Sequence, residues 1–121
     1  MEVKGIKGFL DEGKNYIELG NSIQASEKLY RAAEEAIKAL SRAYANGVWE
    51  EVQEKGRWTS PLLFKAAMAI GRSLKNDEIK RYWDVAWTLH VEGFHEGRLD
   101  IDYVKEGAKD IERLVKLVES Y

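Results

Sequence analysis

Apolar positions recur every three or four residues along almost the whole chain, and runs of strict alternation are absent. That periodicity predicts amphipathic helices and no sheet. The clearest stripe is Leu29, Ala33, Ala36, Ile37, Leu40 and Tyr44, one face of a helix with a 3.6-residue turn. Asn21 and Ser22 stand where a cap is needed, and Gln24 where a capping-box partner belongs. Asn46-Gly47, a pair tolerant of positive φ, is expected to end this second helix. Ahead of it, Ile6, Phe9, Leu10, Tyr16 and Ile17 keep helical spacing from Val3 to Leu19. Gly5, Gly8 and Gly13 each cost roughly 1 kcal/mol there against alanine, so the first helix is expected to be irregular or frayed and stopped by Gly20.

Gly47–Thr59 reads as a connector with one short helical turn at Trp49–Glu54. Ser60-Pro61 then starts a third helix, a capping hydroxyl followed by proline in the first turn. Asn76-Asp77 separates it from a fourth, which runs to about Glu96. The last helix spans about Asp102 to Ser120, with Ile101, Val104, Ala108, Ile111, Val115 and Val118 spaced by three and four. Leu114 and Leu117 widen that seam and suggest burial on two sides, as in a bundle or a dimer contact. The pattern predicts an all-α, up-and-down bundle of about five helices, four main and one weaker, in a single domain over residues 1–121.

Composition narrows the chemistry. There is no cysteine, which excludes disulfides, thiolate metal sites and thiol catalysis. A formal net charge of -2 lacks the basic excess of a dedicated duplex-DNA binder. No segment approaches the roughly 20 apolar residues of a membrane span, and the N-terminus has no secretory apolar run, so a soluble, cytoplasmic protein is expected. The basic residues of the second and last helices are interleaved with acidic ones and read as solvated faces. No P-loop, dinucleotide fingerprint or nucleophile elbow occurs, and no cofactor is expected.

Candidate chemistry gathers between Arg81 and Leu99, which holds two of the four tryptophans and both histidines. On a regular helix Ile79, Trp83, Ala86, Trp87, His90 and Phe94 form one apolar face, bordered by Tyr82, Leu89, Gly93 and Gly97. Lys80, Asp84, Thr88, Glu92 and His95 fall on the solvated side. Trp83, Trp87, His90, Phe94, His95 and Arg98 are the candidate ligand-binding residues. His90 is either an imidazole at the floor of an aromatic pocket or, the more ordinary reading, a core histidine with one hydrogen bond. Five residues at the 3.6-residue period place His90 and His95 about 140° apart, so they are not expected to share a metal ion, and no metal site is assigned.

The runs LYRAAEEAIKALSRAY (29–44), WTSPLLFKAA (58–67), WDVAWTLHVEGFHEGRL (83–99) and DIDYVKEGAKDIERLV (100–115) resemble the archaeal PaREP-type proteins, grouped with the HEPN superfamily (higher eukaryotes and prokaryotes nucleotide-binding). The resemblance implies an up-and-down bundle, commonly paired as a dimer. It also implies either an RNA endonuclease, some of them toxins, or a non-catalytic binder of a nucleotide or of a partner nucleotidyltransferase. The nuclease subset places four to six residues between an arginine and the histidine that follows it, the guanidinium holding phosphate charge while the imidazole moves a proton. Here positions 83–85 are Trp, Asp and Val, positions 88–90 are Thr, Leu and His, and eight residues separate Arg81 from His90. The expectation is a non-catalytic, homodimeric binding or interaction module with no catalytic residue to assign. A nucleotide-binding partner of a separate nucleotidyltransferase and a degenerate RNase are the alternatives.

Overall fold

Six α-helices and one π-helical segment succeed one another in the computed structural model, which describes residues 1–121. They are α1 (Val3–Glu18), α2 (Ser22–Tyr44), α3 (Asn46–Lys55), α4 (Ser60–Leu74), α5 (Glu78–Thr88), the π segment (Leu89–His95) and α6 (Ile101–Ser120). Which residues meet fixes the directions. Glu12 pairs with Lys28 while Phe9 lies under Arg31, so α1 and α2 are antiparallel. Lys7–Glu119 and Lys14–Glu112 set α1 antiparallel to α6. Gly71 neighbours Ile79 and Phe64 meets Trp87, which sets α4 against α5. Ser26 faces Gly93 and Tyr30 stacks on His90, so the π segment runs against α2. The up-and-down bundle therefore has α2, α4 and α6 pointing one way and α1 and α5 the other.

The long central helix α2 touches every other element. Its buried face (Ala25, Leu29, Ala32, Ala33, Ala36, Ile37, Leu40) meets Ile6 and Leu10 of α1, Leu63 and Ile70 of α4, Ile79 and Trp83 of α5, and Val104, Ile111, Leu114 and Val115 of α6 in one core. Small residues on α2 let its neighbours approach closely, and the large side chains come from the surrounding helices.

Four expectations are corrected and one is met. The first helix is regular from Val3 to Glu18 despite its glycines. Gly13 accounts for part of that, because a Cβ there would lie 2.8 Å from Leu29 Cδ2, so glycine is what lets α1 seat on α2. Gly20, with φ 72°, does end it, with Asn21 N–H donating to the Tyr16 carbonyl at 2.9 Å. Asn46-Gly47 does not end α2 but begins α3, a ten-residue helix where a connector is expected. It brings the helix count to six rather than about five. Thr59, not Ser60, caps α4, its hydroxyl accepting from Leu62 N–H. The fourth helix is not regular to Glu96, since it changes to π geometry at Leu89. Finally, the two-sided burial of the last helix is met within this chain, by α1, α2 and α5. No helix is long and apolar enough to cross a membrane.

Candidate functional site

Thr88 marks where α5 gives way. Its hydroxyl donates to the Asp84 carbonyl at 3.0 Å, the back-bond that loosens and bends helices. Gly93 then sits where any side chain is excluded, since a Cβ would lie 2.2 Å from Ser26 Oγ. The segment trades tighter turns for that approach to α2. It closes with Glu96 N–H donating to the Val91 carbonyl five residues back, at 2.9 Å, and Gly97 leaves it at φ 63°. Single π turns inside helices are rare and concentrate at functional sites.

The wider turn overturns the expected divergence of the histidines. In an i→i+5 helix the fifth residue returns to the same face, and His90 and His95 lie with their Nε2 atoms 3.2 Å apart, rings edge to face. One Nε2 therefore donates and the other accepts. His90 is half-buried and His95 exposed. His90 stacks on Tyr30, ring centroids 4.0 Å apart and planes at 19°, with Trp87 at 5.2 Å and Phe94 at 6.5 Å. Its Nδ1 is buried without a partner, so only Nε2 is presented outward. Burial, then the charge of His95, hold the His90 imidazole below its ordinary pKa, with Glu34 and Glu27 pulling the other way. It is thus kept neutral near pH 7. Burial raises the pKa of the Tyr30 phenol, and Glu34 adds to the effect.

The remaining candidates separate. Trp83 is fully enclosed, its Nε1 unpartnered, and forms the wall behind Tyr30 and Phe64. Trp87 and Phe94 are half-buried and flank the imidazole. Arg98 is turned away onto Glu92 at 2.5 and 3.2 Å, an ion pair that lowers the glutamate's pKa. Tyr30, Phe64, Glu27 and Glu34 join the site from α2 and α4. Tyr30 and Glu34 are an i,i+4 pair, so α2 amphipathicity marks them as neighbours but not what they face. Groups of three or more metal-ligating side chains do not occur. The largest surface concavity, about 560 Å³ between the end of α2, α3 and α4, contains no histidine and is bridged by the Lys65–Glu51 pair. The concentration of aromatic and imidazole groups marks the π segment as the better candidate.

The model of the archaeal PaREP1/PaREP8 family matches residues 2–115. The chain is similar to a Sulfolobus solfataricus protein known from a crystal structure, at 40% identity and a TM-score of 0.86, over 95% of this chain and 93% of that one. A solution structure of the same target, described as Orf c02003 protein, gives 42% identity and a TM-score of 0.81, over 93% and 87%. No curated protein matches the chain.

Proposed function

The chain belongs to the archaeal PaREP1/PaREP8 family, and from that premise we propose that it is a non-catalytic, HEPN-like interaction module that binds through the aromatic edge around His90 and pairs as a homodimer. The charge arrangement at the histidine pair carries this reading. Arginine–histidine nucleases need a guanidinium free to hold phosphate beside the imidazole. Here Arg98 is held by Glu92, and Arg81 by Glu78 and Asp110. The charges acting on His90 from α2 are the carboxylates of Glu27 and of Glu34, the second paired with Lys38 at 3.4 Å, and neither attracts phosphate. What the edge offers is partly exposed ring surface from the half-buried Phe64, Trp87 and Phe94, the residue type enriched at protein interfaces. The α6 stripe is already used inside the chain, so the proposed pairing is assigned to this aromatic edge instead.

Sedimentation equilibrium tests the pairing. A dimer is expected, reduced to monomer by Trp87→Glu; a monomer at every concentration overturns it. Single-stranded RNA should remain intact, and cleavage that vanishes in His95→Ala overturns the non-catalytic reading. Nucleotide binding beside a separate nucleotidyltransferase is the second reading, favoured by the partly exposed Trp87 and Phe94 rings, the ring type on which bases stack. Saturable quenching of tryptophan fluorescence by a nucleoside triphosphate, lost in Trp87→Ala, would support it over the first.

A further inference from the structure

We infer that His90 and His95 form a two-point chelate for a divalent transition-metal ion of the copper, nickel and zinc class. The π turn makes the pair, since on a regular helix the two imidazoles would diverge. Two nitrogens 3.2 Å apart, each about 2.1 Å from one ion, subtend about 100° at it. That value lies between the square and tetrahedral angles these ions adopt. The ion takes the place of the proton now shared between the two Nε2 atoms. With His95 as the donor, that proton moves to the Nδ1 of its own exposed ring, where water accepts it, while His90 already carries its proton on Nδ1, so both imidazoles stay neutral with an Nε2 lone pair free for the ion.

Three features of the surroundings favour the ion. His90 is pinned by the Tyr30 stack and by Trp87, so half of the chelate is held in place before binding. Its Nδ1 is enclosed, which leaves Nε2 as the only outward nitrogen. His95 is exposed, so its ring turns to meet an ion at little cost. The carboxylates that act on His90 from α2, Glu27 and the Lys38-paired Glu34, favour positive charge at the imidazole. No further histidine or carboxylate closes the coordination sphere, so the remaining positions are taken by water or by an external ligand. The affinity is that of a surface chelate rather than a structural zinc site, and copper should bind most tightly.

The experiment uses tag-free protein, so that no added histidine competes. Cu²⁺ and Ni²⁺ are titrated by calorimetry, and the Cu²⁺ form is examined by electron paramagnetic resonance. One saturable ion per chain is expected, with a hyperfine pattern from two bound nitrogens. His95→Ala, at an exposed position, should keep its helical circular dichroism, lose the saturable binding and show at most one nitrogen. His90→Gln should do the same. Unchanged stoichiometry and affinity in folded His95→Ala would overturn the site, as would the absence of saturable binding in the parent protein.

Discussion

Gly93 leaves no room for a methyl group, and the main obstacle is Ser26, with Leu99 Cδ1 at 3.3 Å beside it. A Cβ there would lie 2.2 Å from Ser26 Oγ and 2.6 Å from Ser26 Cβ. Gly93→Ala should destabilise the protein by about 1–3 kcal/mol, as overpacked sites do, read from urea midpoints. Ser26→Ala should not rescue it, because the serine Cβ alone still collides. By itself Ser26→Ala should be neutral or stabilising by about 1 kcal/mol, since the Oγ is buried without a partner. A marked loss of stability in Ser26→Ala would mean that the hydroxyl has a bonding role. The site's residue types were readable at this scale: the aromatic and imidazole content of the segment stands out in the chain. Their partners were not, because Tyr30 and Phe64 come from helices far away in sequence.

Helix starts and stops are decided by which side chain reaches which backbone N–H, and α4 gives a direct test. Thr59 accepts from Leu62 N–H, whereas Ser60 lies already inside the helix. Thr59→Ala should cost about 0.5–2 kcal/mol, the range for a lost cap, and Ser60→Ala well under that in the same thermal or urea assay. The reverse order would place the cap one residue later. The α2 and α6 stripes were legible because long amphipathic periods admit one reading. The short α3 was not, since Val48, Trp49 and Val52 give little periodicity and Asn46-Gly47 carries the signature of a stop. Nor was the π segment, because α and π turns draw on the same apolar residues. Only the contact of Gly93 with Ser26 and the back-bond of Thr88 distinguish them.

For the molecule as a whole, the α6 stripe belongs to this chain's own core, and Ile111 is fully buried in it. Ile111→Ala should cost about 2–5 kcal/mol in denaturant unfolding while leaving the sedimentation profile of the folded protein unchanged. A shift in oligomeric state would place that stripe at an interface instead. The helix directions have a broader consequence. α2, α4 and α6 run one way, and the first turn of each receives a side-chain acceptor, from Asn21, Thr59 and Asp100, as that of α5 does from Asn76. Their peptide dipoles add, and the opposing elements α1, α5 and the π segment, shorter taken together, offset only part of the sum. The bundle is thus electrically polar along its length, with its positive end at the pole where Asn21, Thr59 and Asp100 gather. A charged group seated directly against one end of the bundle therefore meets backbone partial charges of the sign opposite to those at the other end.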